Sequence, residues 1–301
     1  MNVVFKKKLQ RIMPGQIWFD QPLARHTVFG IGGPADILIQ PKNIISLQEF
    51  LKSLSRNKID IFVLGNGSNI LIRDGGIRGI VLRLRDKAFC QIRPKGDLIY
   101  AGAGVEVTQL LNYCLSSGLS GIEFLAGIPA TVGGALVMNA GAFAGQIADV
   151  VSSVTCLSRN GEIYELPRDR IKFGYRRSSL KNYIVIAGKF KLKKSNTDYV
   201  RQKIKENFLS RKKTQDMNYS SAGCVFKNLR SVSAGILIDR AGLKGLSFGD
   251  AAVSLRHANF IVNRGRATAK DILRLIRHIK HEINNKFNIK LQTEIRIMGV
   301  D

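Results

Sequence analysis

No apolar run of about 18 residues occurs in the chain, so no segment is long enough for a membrane-spanning helix. Its start, Met1 to Gly15, carries lysines but lacks the apolar segment and small-residue cleavage site of a secretory leader. Cysteine is sparse and scattered. Cys90, Cys114, Cys156 and Cys224 form no Cys-x-x-Cys pair, which speaks against a zinc knuckle or a redox couple. Free thiols and no leader fit a cytoplasmic enzyme. His278 and His281 lie three apart without a third ligand in view, so no metal is expected. The familiar nucleotide signatures are missing too. Gly65-Asn66-Gly67 follows an apolar segment as a dinucleotide-binding loop would, but the third glycine is replaced by Ile70. Gly30-Ile31-Gly32 fails in the same way at Ala35, Gly102-Ala103-Gly104 fails at Val107, and there is no P-loop. Any phosphate site must use another scaffold.

Acidic residues are in short supply: 22 against 47 lysines and arginines, a formal charge of +25. Such a charge favours polyanions of every kind. The basic residues are spread along the chain, apart from clusters such as Lys6-Lys7-Lys8 and Arg211-Lys212-Lys213, and no zinc-finger or RNA-recognition pattern accompanies them. No nucleic-acid partner is expected, and a basic nucleic-acid binder is the rival reading. The 301 residues are 45% hydrophobic, enough for a globular protein of two domains or one large one.

Glycine is plentiful where it is least expected. Leu119 to Gly145 is apolar enough for a core yet is interrupted at Gly121, Gly127, Gly133, Gly134, Gly141 and Gly145. A plain helix or strand loses stability at that density. Gly127-Ile128-Pro129 and Thr131-Val132-Gly133-Gly134 therefore read as tight loops with exposed N–H groups. These either cradle a pyrophosphate without a basic side chain or form a structural crossover. Ser68 and Asn69 are further donors beside Gly65 and Gly67.

Around this stretch the pattern alternates. Strands are expected at Ile37–Ile39, Ile59–Leu64, Gly79–Arg85, Leu98–Ala101, Tyr183–Leu192, Asn259–Val262 and Leu291–Met298. Leu47, Phe50, Leu51 and Leu54 mark an amphipathic helix over Ser46–Arg56, and Val107 to Leu115 a second ending at Gly118. Val150–Leu157 and Glu162–Leu166 read as a hairpin across Asn160-Gly161. Composition shifts after Lys193 into a basic helix, Asp198–Lys213, with Val200, Ile204, Phe208 and Leu209 on one side. A short helix at Ile236–Ile238 is closed by Gly242, and Thr268 and Asp271 form a capping box before the stripe Ile272, Ile276, Ile279 and Ile283.

Seven segments together resemble the UDP-N-acetylenolpyruvoylglucosamine reductase family, in its shorter, type II form. They are GNGSN at 65–69, GIPATVGGALVMNAGAF at 127–143, FGYRRS at 173–178, SAGCVFKN at 221–228, AGLKG at 241–245, HANFIVNRGRATAKD at 257–271 and LQTEIRIMG at 291–299. The resemblance implies an α+β chain: an FAD-binding fold of the vanillyl-alcohol-oxidase (PCMH) type in two subdomains, residues 19–192, and a smaller α+β substrate domain, residues 193–301. It implies non-covalent FAD, NADPH as hydride donor and a UDP-sugar substrate, and leaves the oligomeric state open. Arg176, Cys224 and Glu294 fall at the family's catalytic positions. Gly65, Asn66, Gly67, Ser68, Asn69, Gly127, Ile128, Pro129, Thr131, Gly133, Gly134, Asn139 and Ala140 are the implied cofactor contacts. Lys227, Asn228, Lys244 and Asn259 are the implied substrate contacts.

The chain departs from the family pattern in places. Cys224 replaces the usual serine proton donor, a change its chemistry accepts because a thiol is far more acidic than a hydroxyl. Gln292 replaces the first acid of the C-terminal L-E-x-E-V-R pattern, so Glu294 is its one carboxylate. Ala130 and Leu229 replace a glycine and a proline. The alternative enzyme class is another FAD oxidoreductase of the same fold.

Overall fold

The computed structural model describes residues 13, 16–54, 59–216 and 218–301. The Lys6-Lys7-Lys8 cluster, most of the N-terminal segment read for a leader, and the last residues of the helix expected over Ser46–Arg56 lie outside them. The chain divides into two compact units: one made of residues 1–19, 37–65 and 79–209, the other of 20–36, 66–78 and 210–301.

The first unit carries two sheets. One has the strand order Gln16–Pro22, Pro34–Gln40, Ile77–Leu82, Ile61–Val63, its last pair parallel with Ile61 opposite Ile80. The other is antiparallel throughout, in the order Ile163–Pro167, Val151–Leu157, Ile184–Phe190, Leu98–Gly102, Ile92–Lys95. Helix α1 (Ile44–Leu54) buries Leu47, Phe50, Leu51 and Leu54, the stripe its sequence marks. Helix α2 (Val107–Ser116) buries Val107, Leu110, Leu111 and Cys114 and opens with a Glu106–Gln109 capping box. The expected 150–166 hairpin forms, with Leu157 opposite Ile163 and Gly161 at φ +84°.

The glycine stretch overturns one expectation. Val132–Met138 is a helix, α3, and it runs through Gly133 and Gly134. Thr131 caps it by accepting a hydrogen bond from the Gly134 N–H at 3.2 Å. Glycine is tolerated because the helix starts hard against another backbone: a Cβ on Gly133 would lie 2.9 Å from that of Ala103. Two tight hairpins follow, Gly141–Ala142 with Gly145–Gln146, and Phe173–Gly174 with Arg177–Ser178. Helix α4 (Thr197–Thr214) also differs from its pattern. Val200 is buried and Ile204 packs on the core, whereas Phe208 and Leu209 are exposed.

The second unit has an antiparallel sheet in the order Ser220–Cys224, Phe260–Asn263, Ala251–Val253, Ser247–Phe248. A parallel pair, Ile70–Ile72 with Arg296–Met298, accompanies it. Helix α5 (Ala234–Arg240) is capped by Ser233 and ends before Gly242 at φ +75°. Helix α6 (Ala269–Phe287) forms the Thr268–Asp271 capping box and buries Ile272, Ile276, Ile279 and Ile283. Asp74 adds acceptors for the Ala269 and Lys270 N–H groups at 2.8 and 3.0 Å, which a helix start welcomes. The strand expected over Leu291–Met298 is shorter. Only Arg296–Met298 is regular, and Thr293 makes an isolated bridge to Phe226. Among the described residues no helix is long and apolar enough to cross a membrane.

Candidate active site

In the first unit the structure brings Gly65 to the start of α3. A Cβ on Gly65 would sit 2.6 Å from Thr131 Oγ1, so only glycine fits beside the capping hydroxyl. Residues 127–134 are less open than their glycines suggest. The Ile128 N–H donates to Leu125 O, Ala130 to Ile128 O, Val132 to Val105 O and Gly133 to Ala103 O. With Gly134 bound to Thr131, four of the expected anion donors, at Ile128, Val132, Gly133 and Gly134, are spent inside the fold. The pull of the helix start and of the neighbouring 102–105 backbone explains the difference. Beside these spent donors there is open space. A Cβ on Gly134 meets only Thr131 Oγ1, at 3.4 Å, and the residue is half-buried. That clearing at the start of α3 is a face a side chain would fill and a flat cofactor can approach.

At the other end of α3 stand Asn139 and Ala140. The Ala140 N–H donates to Ala135 O at 2.8 Å. Asn139 is 2% exposed and takes the left-handed conformation that closes the helix. Its side chain is bonded to Gln146, Gly174 and Ala148. Arg176 occupies the second turn position of the 173–178 hairpin at φ +53°, a region arginine rarely adopts. Its guanidinium carbon lies 5.0 Å from the Tyr175 ring centroid.

In the second unit Gly67 holds its loop. It sits at φ +65°, accepts from the Val28 N–H, and a Cβ there would meet His26 O at 2.6 Å. Asn66 and Ser68 flank it. Asn69 donates from Nδ2 to Glu294 O at 3.4 Å and accepts from the Arg296 N–H at 3.0 Å, so GNGSN and the C-terminal segment lie side by side.

Cys224 ends a bulged strand. Ser221 pairs with Val262 and Cys224 with Phe260, so the first strand carries one extra residue, and Gly223 takes φ +77°. Such a bulge re-aims the side chain that follows it. The next residue, Val225, accepts from the Glu294 N–H at 2.7 Å. Cys224 and Glu294 thus stand on adjacent segments, both half-buried.

The implied substrate contacts differ in what holds them. Lys227 Nζ donates to Gln292 Oε1 at 3.4 Å, a neutral partner. Asn228 Oδ1 accepts from the Ala234 N–H, and Lys244 is ion-paired with Asp239 at 2.8 Å. Asn259 is 1% exposed; its Nδ2 donates to Phe226 O and its Oδ1 accepts from Phe226 N–H, at 2.8 and 2.9 Å. It braces the Cys224 strand through both atoms of its amide. Pattern alone missed His257. Its Nδ1 accepts from the Asn259 N–H at 3.2 Å, and burial pushes its pKa down.

The other cysteines are different in kind. Cys114 and Cys156 are buried and pushed up to about 12 by that burial, so both are inert thiols at neutral pH. His278 packs edge-on to Phe248, and the His281 ring lies 2.9 Å from Asn285 Nδ2.

Two family models match the chain. Residues 35–167 match the model of an FAD binding domain, and residues 215–298 that of the UDP-N-acetylenolpyruvoylglucosamine reductase C-terminal domain. The UDP-N-acetylenolpyruvoylglucosamine reductase of Clostridium tetani is 42% identical over 93% of this chain and 91% of its own length. That of Clostridium kluyveri is 41% identical over 99% and 98%. A crystal structure of the Thermus caldophilus reductase superposes with a TM-score of 0.82 at 37% identity, covering 94% of this chain and 98% of that one.

Proposed function

This chain belongs to the UDP-N-acetylenolpyruvoylglucosamine reductase family, and from that membership we propose how its residues divide the reaction. It is an FAD-dependent, NADPH-oxidising reductase that converts UDP-N-acetylglucosamine-enolpyruvate to UDP-N-acetylmuramate for peptidoglycan synthesis. Residues 19–192 hold the flavin and residues 193–301 the UDP-sugar, in the cytoplasm; the matched ranges of the two domain models support that division.

Bound FAD supplies a hydride drawn from NADPH. Thr131, Gly133 and Gly134 at the start of α3, with Gly65 against them, shape the clearing that receives it. Hydride addition to the terminal enolpyruvyl carbon leaves an electron pair delocalised onto the substrate carboxylate. Arg176 grips that carboxylate with paired N–H donors and stabilises the charge as it develops. Cys224 gives its Sγ proton to the adjacent carbon, and solvent reprotonates the thiolate. Glu294, whose N–H is bonded to Val225 O, is the family's catalytic carboxylate, on the segment next to that of Cys224. Lys227 is the best placed of the four substrate contacts, because among the described residues its cation is held by an amide and not by a carboxylate. Asn259 acts as a brace rather than as a contact.

The observation that carries this reading is the bulge at Gly223, which sets Cys224 beside the Glu294 segment. Turnover in D2O tests it. The product should carry one solvent deuterium at the carbon next to the carboxylate; the hydrogen on the methyl carbon arrives by way of an exchangeable flavin N–H and does not decide the order. A carbon next to the carboxylate that carries no solvent deuterium would remove Cys224, or any other exchangeable acid, as its proton donor.

A further inference from the structure

The turn that carries Arg176 is strained. A non-glycine residue at positive φ is strained and persists only where its surroundings over-determine it. Arg176 occupies the position of a two-residue hairpin turn where glycine or asparagine is usual, at φ +53°. The hairpin is pinned on both strands. On the second strand, Ser178 Oγ donates to Leu136 O at 3.1 Å and to Val137 O at 2.8 Å. On the first, Gly174 O accepts from Asn139 Nδ2 at 3.1 Å. All three anchors belong to the C-terminal end of α3.

Asn139 is the hub of this arrangement. Its second Nδ2 hydrogen goes to Gln146 Oε1 at 2.8 Å, and its Oδ1 accepts from the Ala148 N–H at 3.2 Å. Gln146 is held in turn by Asp149, through its backbone N–H and its Nε2. The helix cap does not require this side chain. At φ 45° and ψ 56° glycine closes a helix at least as well as asparagine. Asparagine at 139 therefore adds something glycine cannot, namely the bonds to Gly174, Gln146 and Ala148. The seven-residue helix between Thr131 and Asn139 spans about 10 Å. One short rigid piece thus joins the glycine-lined clearing to the Arg176 turn.

We propose that Asn139 is a positioning residue for Arg176, acting through the Gly174 carbonyl. The inference rests on the reading of Arg176 as the group that stabilises the enolate.

The test compares Asn139→Gly, Asn139→Asp and Arg176→Lys in the FAD-loaded enzyme. Arg176→Lys should slow reoxidation by the UDP-sugar by about 10²–10³, since an ammonium cannot reproduce the planar fork. Asn139→Gly should keep its flavin and its rate of bleaching by NADPH, yet be reoxidised about 10²-fold more slowly, the scale of a roughly 1 Å misplacement. Hydrogen exchange at Tyr175, Arg176 and Arg177 should quicken in the same variant, with no substrate present. Asn139→Asp keeps the acceptor for Ala148 but sets a carboxylate against the Gly174 carbonyl. Its reoxidation, relative to wild type, should recover as falling pH restores an O–H donor, whereas Asn139→Gly should not recover.

Normal reoxidation of Asn139→Gly beside a slow Arg176→Lys would overturn the inference and leave the Arg176 reading intact. Loss of flavin from both Asn139 variants would assign the residue to cofactor binding instead. A fast Arg176→Lys would remove the reading and the inference together. Should Asn139→Gly not accumulate as folded protein, the pH recovery of Asn139→Asp decides alone, and its absence overturns the proposal.

Discussion

The two units hold their candidate residues by different means. In the first, Asn139, Phe143, Ala144 and Arg176 all take positive φ without being glycine, within fewer than forty residues of chain. Side chains such as those of Asn139 and Ser178 keep these turns in place. In the second, the Cys224 and Glu294 segments are joined by backbone bonds, and the positive φ beside Cys224, at Gly223, falls to glycine. Strain held by side chains gives a rigid but fragile support, because removing one amide releases several bonds at once. A backbone ladder tolerates side-chain change more readily, so chemistry there can vary. A cysteine in the proton donor's place fits that tolerance.

Four substitutions or conditions sharpen the contrast. The largest effect is expected in the first unit. Gly134→Val fills the clearing at the start of α3 and presses on Thr131 Oγ1; it should leave protein with little bound flavin and hence no turnover. Full flavin content, read by absorbance of the purified variant, would move the cofactor elsewhere.

Cys224→Ala should fold and be bleached by NADPH normally, since its strand is held by backbone pairing. Its reoxidation by the UDP-sugar should fall by about 10²–10⁴, the usual worth of a general acid. Cys224→Ser should recover much of that loss. Stopped-flow absorbance of each half-reaction gives the answer, and an Ala variant as fast as wild type would make Cys224 a packed thiol.

Asn259→Ala strips the Phe226 N–H and C=O of their partners in a buried place. Denaturant unfolding should show a loss of about 1–3 kcal/mol for the orphaned groups. A raised KM for the UDP-sugar at unchanged stability would make Asn259 a substrate contact after all.

The smallest effect is a pH dependence. Burial depresses the His257 pKa in the folded state, so the unfolded chain binds the proton more readily. Its contribution to stability is complete above the unfolded value of about 6.5 and is lost as pH falls from there through the depressed folded value. The unfolding free energy of wild type should decline over that window, and His257→Asn should flatten the decline. Equal slopes for the two proteins would assign the acid sensitivity to other groups.

What the sequence made legible follows the same division. Helices α1, α2 and α6 appear where their apolar stripes place them, and the Thr268–Asp271 box and the Asn160-Gly161 turn announce themselves locally. Helix α3 was hidden because two glycines in its first turn argue against helix, and only the close backbone at Ala103 explains them. Arg176 at positive φ leaves no mark in the sequence, since the residue usual for that conformation is absent. The brace from Asn259 to Phe226 spans 33 residues, and the fit of Gly65 against Thr131 is more distant still in sequence. Such pairs are set by the fold and not by any local pattern. The resemblance to the family points to Arg176, Cys224 and Glu294, but it does not distinguish a residue that touches a ligand from one that holds its neighbour.

The measurement closest to the central claim is the absorbance of the purified protein under anaerobic conditions, followed through two additions. One equivalent of NADPH should bleach the flavin band, and one equivalent of UDP-N-acetylglucosamine-enolpyruvate should then restore it in full with oxygen excluded. A colourless protein, or a bleached flavin that the UDP-sugar leaves reduced, would contradict the account.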